Sequence, residues 1–301
     1  MYLASSGKVR TWRVRDREIS LDQFVLAGIL NVTPDSFSDG GEFFEPDVAI
    51  VHAHEMVEEG ADLIDIGAES TRPGSEAVSA EEEWGRLEPV LRELDDLTVP
   101  ISIDTAKLEV AERAIDAGAH AINDVTGLQS DPRIADLAAR TGAGLVIMHM
   151  RGTPRTMQDD TRYEDVVKEV CQNLEKARDA AIGIGCNPDQ IAFDPGLGFG
   201  KSVEGNLELI ARLDELSNLG SPVWVGPSRK SFLGNILKVG PDDRLSGTVA
   251  ACIAALEKGA HVFRVHDVRE IRDALKVHVA IADMCRENSK AGNTVLTEAS
   301  I

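Results

Sequence analysis

Eight short apolar runs, separated by loops and helical patterns, set the architecture open to this 301-residue chain. They are FVLAGIL (Phe24 to Leu30), DLIDIG (Asp62 to Gly67), VPISID (Val99 to Asp104), HAINDV (His120 to Val125), GLVIMH (Gly144 to His149), QIAFD (Gln190 to Asp194), SPVWVG (Ser221 to Gly226) and HVFRVH (His261 to His266). Helical periodicity occupies stretches between and after them, such as Pro46 to Glu59, Leu108 to Ala117, Ile134 to Arg140, Tyr163 to Ile182 and Val268 to Cys285. Strands alternating with helices pair in parallel, because each crossover returns the chain to the same end of the sheet. Near-continuous apolar strands fit a sheet covered on both faces. Eight such units predict an α/β chain folded as a single (β/α)8 TIM barrel rather than an open sheet. The pairs Gly60-Ala61, Gly118-Ala119 and Gly259-Ala260 read as helix stops ahead of strands. Residues 24–287 form the expected barrel. Residues 1–23 precede it, with a hairpin between Lys8 and Leu21 expected to cap the barrel bottom, and residues 288–301 lack pattern and are expected to be a mobile tail.

Charge and composition narrow the partners. A formal net charge of −20 argues against nucleic acid or an anionic membrane. No apolar run reaches membrane-spanning length and the N-terminus lacks the apolar core of a signal peptide, so a cytoplasmic location is expected. Cys171, Cys186, Cys252 and Cys285 are far apart with no CxxC pair, which predicts reduced packing residues rather than a thiol or zinc mechanism. His52, His54, His120, His261 and His278 read as ordinary surface or core residues.

In a barrel of this kind chemistry belongs to the C-terminal ends of the strands. Those positions carry Asn31, Glu69 to Arg72, Asp104, Asn123-Asp124, Met148-His149, Asp194, Ser228 to Ser231, and Arg264 with His266. One aspartate at a strand end is commonly a helix cap. A polar or charged group from every strand on one rim predicts an active site. The loop NVTPDSFSDGG (Asn31 to Gly41) carries more polar and aromatic chemistry than a turn requires. Asp104, Asn123 and Asp194 offer acceptors and one amide donor, suited to a flat heterocycle with amino and ring N–H groups. Arg72, Lys230, Arg264 and His266 supply positive charge for an anion, and the GPSRKS loop leads into a helix, FLGNILK, whose N-terminus adds to that. DPGLGFGK (Asp194 to Lys201) lacks phosphate-loop spacing, and its glycines are expected to let the backbone approach a planar ligand.

The motifs GILNVTPDSFSDGG, GAESTRPG, SIDT, INDV, MHMRGTP, DPGLGFGK, GPSRKSFLG and RVHDV, in this order, resemble those of the dihydropteroate synthase family from about Val25 to Met284. Departures are small: Pro227 in GPSRKS, and Ala68 where many members have glycine. The resemblance implies a (β/α)8 transferase that joins para-aminobenzoate to 6-hydroxymethyl-7,8-dihydropterin diphosphate, giving 7,8-dihydropteroate and pyrophosphate for folate biosynthesis. By the same resemblance, Asp104, Asn123, Met148, Asp194, Gly198, Lys230 and Arg264 would hold the pterin. Asn31, Arg72, Arg264 and His266 would hold the diphosphate, with Asn31 also facing Mg2+. Phe199, Ser231, Phe37, Thr71 and Pro73 would enclose para-aminobenzoate, and Asp39 would face the metal or a developing cation. The electron-rich dihydropterin stabilises a methylene cation, so a dissociative route is expected. The family implies sulfonamide inhibition and a homodimer, the latter consistent with the apolar stretch Leu245 to Leu256. The competing readings are a methyltetrahydrofolate–corrinoid methyltransferase-like barrel, which is not expected to carry the SRKS and STRPG loops, and a non-enzymatic pterin-binding protein.

Overall fold

The computed structural model describes residues 9–33, 46–70 and 75–298, with side chains as far as Cys285. Phe37, Asp39, Gly40, Gly41, Thr71, Arg72 and Pro73 lie outside the described residues.

The expected hairpin forms first along the chain. Strands β1 (Thr11–Val14) and β2 (Arg17–Ser20) pair antiparallel, Thr11 opposite Ser20 and Val14 opposite Arg17. Arg15 takes a left-handed φ of 59° at the turn. Its N–H donates to the Gly142 carbonyl (2.7 Å), and its Nη1 to those of Ile115 and Ala119 (both 3.0 Å). The turn is thus fastened to the ends of two helix-to-strand connections. The inner face of the hairpin, Trp12, Val14, Ile19 and Leu21, packs against Val25, Leu63, Ala121, Val146, Ala192, Trp224 and Val262. These sit at or near the starts of the barrel strands. Trp12 and Trp224 meet edge-to-face with centroids 5.6 Å apart, and Trp12 Nε1 donates to the Gln190 carbonyl at 2.8 Å. Alternation along parallel strands turns these side chains into the barrel, and the hairpin seals that end.

All eight barrel strands occur where the apolar runs place them: β3 (Val25–Asn31), β4 (Leu63–Gly67), β5 (Ile101–Asp104), β6 (Ala121–Asp124), β7 (Gly144–Met148), β8 (Ile191–Asp194), β9 (Trp224–Val225) and β10 (Val262–Val265). Their order is β8-β7-β6-β5-β4-β3-β10-β9, all parallel, and a parallel bridge from Phe193 to Val223 joins the two ends. β9 is short beside Pro222, which accepts from Phe193 N–H (2.8 Å) but has no N–H to give the ladder. Outward residues such as Leu26, Leu30, Ile64, Ile66, Ile103 and Phe263 join the main core beneath the helices.

The helices are α1 (Pro46–Glu59), α2 (Ala80–Glu93), α3 (Leu108–Asp116), α4 (Arg133–Thr141), α5 (Val166–Ile184), α6 (Val203–Ala211), α7 (Leu213–Ser217), α8 (Ser231–Leu237), α9 (Leu245–Glu257) and α10 (Val268–Glu298). The Gly-Ala pairs act as helix stops. Gly60, Gly118 and Gly259 have φ of 99°, 105° and 93°. Each following alanine N–H bonds the carbonyl five residues back, to Met56 (2.8 Å), Ala114 (2.9 Å) and Ala255 (3.0 Å). Helix α2 was not among the expected stretches. Its start is marked by Ser79, whose hydroxyl accepts from Glu82 N–H, and by Glu81, Glu82 and Glu83 in its first turn. At the other end α10 continues to Glu298, so the segment expected to lack pattern from 288 is helical backbone as far as that residue. Apolar periodicity reports burial of a face, whereas the helix itself needs only its own backbone bonds. No helix among the described residues is long and apolar enough to cross a membrane.

Candidate active site

The hairpin closes one end of the barrel and leaves the strand C-termini to build the other. Alternation turns Asp65, Asp104, Asn123, Met148, Asp194 and Arg264 inward, and the strands that carry the first five are consecutive neighbours in the sheet. Arg264 is the hub. Its Nε donates to Asp65 Oδ2 (2.5 Å) and its Nη2 to Asp104 Oδ2 (2.9 Å), tying β10 to β4 and β5 across the barrel. Burial alone would lower the Arg264 pKa, but the two carboxylates outweigh it and the net direction is up. Its charge is therefore largely matched within the floor. The positive charge that the sequence reading gives Arg264 for an anionic group is thus already shared with Asp65 and Asp104.

Asp65 was not among the sequence candidates. It sits in the middle of β4 between Ile64 and Ile66, is fully buried, and accepts from both Arg264 and Asn123 Nδ2 (3.2 Å). The available signal was a carboxylate inside an otherwise apolar strand, which cannot be buried without a partner. Its bond to Asn123 also alters that residue's part. One N–H of the amide goes to Asp65, and Asn123 Oδ1, with Asp65 Oδ1 and Ser102 Oγ, is buried without a partner. The floor thus presents mainly acceptors, with one of the two Asn123 amide N–H groups already engaged. An unsatisfied buried acceptor costs about 1–3 kcal/mol, so these atoms await a donor-rich ligand or water.

Burial raises the Asp104 pKa to about 7, against the pull of Arg264; Asp65 and Glu83 add to the rise and Lys230 opposes it. Burial likewise raises Asp194 to about 6, opposed by the Gly196 N–H on its Oδ1 (2.6 Å) and by Lys230, Lys201 and Arg264. Lys230 is pushed down to about 8 by desolvation and by Arg264, with Asp194 and Asp104 restoring part of it. Its ammonium stands 3.9 Å from the centroid of the Phe199 ring. Phe199 in turn packs with Val125, Met148, Met150 and Met157. Gly198 (φ 84°) lies against the Lys230 side chain, where a Cβ would approach Lys230 Cδ to 3.0 Å. Gly196 has a different neighbour from the planar ligand expected: a Cβ there would lie 2.0 Å from the His149 carbonyl oxygen.

Lys230 and Ser231 are presented by a braced turn. Lys230 N–H donates to the Pro227 carbonyl (3.3 Å), and Arg229 takes a left-handed φ of 55°. Arg229 forms a two-pronged pair with Asp267 (Nη2 2.5 Å, Nε 3.1 Å), and its carbonyl accepts from Arg244 Nη1 (2.8 Å). Pro227 contributes a carbonyl that any residue would offer, so its departure from the family pattern leaves the turn intact. Ser231 opens α8 and is exposed.

His266 differs from its expected role as a cation. Burial, then Arg264 and Arg229, hold its pKa down to about 3. The Ser228 hydroxyl oxygen accepts from His266 N–H (3.2 Å) and lies 2.9 Å from Nδ1. A neutral ring with Nδ1 accepting the Ser228 proton leaves Nε2–H as a donor. Asn31, at the end of β3 beside Gly67, is half-buried. Two further rim residues have structural partners. Asp124 accepts from Thr126 N–H (2.8 Å), Thr126 Oγ1 (2.7 Å) and Leu128 N–H (2.6 Å), bracing a turn rather than capping a helix, since α4 starts only at Arg133. Glu69 pairs with Lys107 Nζ (2.7 Å), which also meets buried Glu83 (2.5 Å), and accepts from Val78 N–H (3.1 Å).

A deep acceptor floor with matched cations, under an apolar wall of Phe199 and methionines, suits a flat, donor-rich heterocycle, and the family model described as pterin binding enzyme matches residues 27–266. The chain is 48% identical to the dihydropteroate synthase of Synechocystis sp. (strain ATCC 27184 / PCC 6803 / Kazusa) over 258 residues, 85% of this chain and 89% of that one. The Thermus thermophilus dihydropteroate synthase crystallised with 4-aminobenzoate is similar in structure, with a TM-score of 0.81 and 49% identity, covering 90% of this chain and 99% of that one. The Yersinia pestis dihydropteroate synthase in a sulfonamide drug complex gives a TM-score of 0.85 at 40% identity, covering 91% and 99%. The chain belongs to the dihydropteroate synthase family.

Proposed function

We propose that the rim joins para-aminobenzoate to 6-hydroxymethyl-7,8-dihydropterin diphosphate, forming 7,8-dihydropteroate. The observation that carries this reading is the buried acceptor floor: Asn123 Oδ1 lacks a donor, Asp104 lies beside it on the adjacent strand, and Asp194 faces inward two strands away beyond Met148. The amino and ring N–H groups of a dihydropterin supply the donors, and Lys230 faces its carbonyl and ring nitrogen. Met148 lines the ring and Arg264 lies alongside it, holding Asp65 and Asp104 in place. Phe199 and Ser231, with Phe37, Thr71 and Pro73 from the two rim loops, enclose the aromatic amine.

The pterin nitrogen lone pairs stabilise a cation on the exocyclic methylene. The C–O bond to the diphosphate breaks first, the amine nitrogen then forms the C–N bond, and it releases its proton afterward. An aromatic amine needs no strong base for this step. The chain's part is to hold the ring flat, place the amine and accept the leaving charge. His266 serves as a neutral Nε2–H donor to a diphosphate oxygen. A phosphate there favours its protonation, opposing the burial that holds it neutral. Arg72 is assigned the remaining positive charge and Asp39 faces the developing cation. Among the described residues no three His, Cys, Asp or Glu converge on a metal position. Asn31 offers a hard amide oxygen, which fits Mg2+ held chiefly through substrate phosphates. Bound there, Mg2+ would neutralise charge on the departing pyrophosphate.

Two further assignments belong to this reading. Val277, Ile281 and Met284 recur on α10 at 61%, 60% and 56% exposure, beside the apolar α9, and a second copy of the chain is the occupant assigned to that face. Sedimentation at the mass of one 32.4-kDa chain would refute the homodimer. A cytoplasmic location suits cysteines that form no disulfide among the described residues, and burial pushes the Cys171 and Cys186 thiols up to about 11.

Sulfonamides test the amine site. An aromatic amine opposite a strongly polar group fits the pocket of para-aminobenzoate, and DPGLGFGK places no aromatic residue beside Phe199 to exclude a larger one. Inhibition is expected to be competitive with para-aminobenzoate. Inhibition that does not change with para-aminobenzoate, or none at millimolar drug, would contradict the assignment.

A further inference from the structure

The loop from β8 to α6, residues 195–202, curls around an ammonium group. Lys201 is 4% exposed. Its Nζ donates to the carbonyls of Phe199 (2.8 Å), Gly196 (3.0 Å) and His149 (3.1 Å), and lies 3.1 Å from His149 Nδ1. Two of these carbonyls belong to its own loop and the third to the residue after β7. The lysine thus closes the curl on itself and fastens it to the neighbouring strand. The curl depends on left-handed backbone at Gly196 (φ 70°), Gly198 (φ 84°) and Gly200 (φ 63°). From outside, Asn206 of α6 accepts from Gly198 N–H (2.6 Å) and donates to the carbonyls of Ser202 (2.7 Å) and Lys201 (3.3 Å).

Burying a lysine demands a reason, since an apolar chain would fill the same space without desolvating a charge. Burial pulls its pKa down to about 7, and the Asp194 carboxylate opposes that pull. Its donors are all engaged by backbone carbonyls and the His149 ring, so it is not arranged to meet a substrate. What it fixes is the backbone on either side of the aromatic ring. Phe199 lies between Gly198 and Gly200, its carbonyl held by Lys201 and its ring held between the methionine cluster and Lys230.

We propose that Lys201 is a positioning residue for the amine subsite: its buried ammonium locks the curled loop onto the His149 carbonyl and so sets where the Phe199 ring stands. This rests on the placement of Phe199 in the para-aminobenzoate wall, and the two ideas separate experimentally. Lys201→Met keeps the unbranched stem of the side chain as far as Cε and removes its donors. In steady-state kinetics of the full chain it is expected to raise KM for para-aminobenzoate about tenfold, the scale of a small misplacement, with a much smaller change in KM for the pterin diphosphate. In a Phe199→Leu background the same change should add little, because both act through one ring. Asn206→Ala loosens the loop from its other side and should shift the same constant, which keeps the test open if Lys201→Met does not fold.

If Phe199→Leu leaves the amine KM unchanged, the wall assignment fails and the proposal falls with it. If Phe199→Leu raises that KM while the folded Lys201→Met enzyme, or Asn206→Ala in its place, does not, the wall stands and the positioning role is overturned. Equal rises in both substrates' KM, or full additivity with Phe199→Leu, would also overturn it.

Discussion

Replacing Arg264 by methionine is expected to cost about 3–5 kcal/mol of stability near neutral pH, because it leaves Asp65 and Asp104 as uncompensated buried carboxylates. Turnover should be lost in the fraction that still folds, since the floor that orients the pterin would be undone. The pH dependence distinguishes this from loss of packing. Asp104 already titrates in the fold at about 7, above its ordinary value, so burial stabilises its neutral form. A raised folded pKa contributes stability that is present at low pH and lost as pH rises through the folded value. Without Arg264 that pKa moves higher still. The destabilisation should therefore be smaller near about pH 5.5 than near about pH 8. Urea unfolding of both proteins at the two pH values measures this. A loss below about 1 kcal/mol at both, which is the range of an exposed ion pair, would remove Arg264 from its place as the hub.

The second large effect is on binding. Lys230→Met keeps the stem of the side chain and removes the ammonium that serves Asp194, Asp104 and the Phe199 face. Loss of a charge-assisted contact of about 1.5–3 kcal/mol lowers pterin affinity about ten- to hundredfold. Removing a cation that holds Asp194 and Asp104 down also raises their pKa values. The affinity of the variant should then begin to fall at a higher pH than that of the parent as acid is added. Isothermal titration with the pterin substrate across this range reads both effects. Parental affinity in the variant would place the ring elsewhere.

The strands were legible because each is buried on both faces and so carries an apolar run bounded by turn residues; Val25–Asn31 and Leu63–Gly67 lie within a residue or so of their runs. The rim could be read from strand ends because the barrel brings those ends together whatever the helices do. Asp65 escaped the same rule. It lies two residues before the end of β4, one turn of the pleat deeper, and only the inward stacking of Arg264 and Asn123 reveals its part. Charges were the least legible feature. Sequence gives a histidine at 266 and an arginine at 264, but whether either acts as a free cation depends on neighbours 38 and 199 residues away, Ser228 and Asp65. Lys201 posed the same difficulty in reverse. Its motif suggested a phosphate loop of the wrong spacing, and its actual partners are carbonyls, including one from the adjacent strand's loop. The two rim loops that carry Phe37, Asp39, Thr71, Arg72 and Pro73 are assigned from their motifs alone.

On this account one set of side chains binds a dihydropterin diphosphate, lets its C–O bond break, and passes the methylene cation to an aromatic amine. The most direct measurement is a turnover assay with 6-hydroxymethyl-7,8-dihydropterin diphosphate, para-aminobenzoate and Mg2+, following pyrophosphate and 7,8-dihydropteroate together. The expected result is equimolar formation of both, abolished by Arg264→Met and retained at saturating amine by Lys201→Met. Tight pterin binding with no pyrophosphate-linked product in the parent enzyme would contradict it and leave a pterin-binding protein in its place.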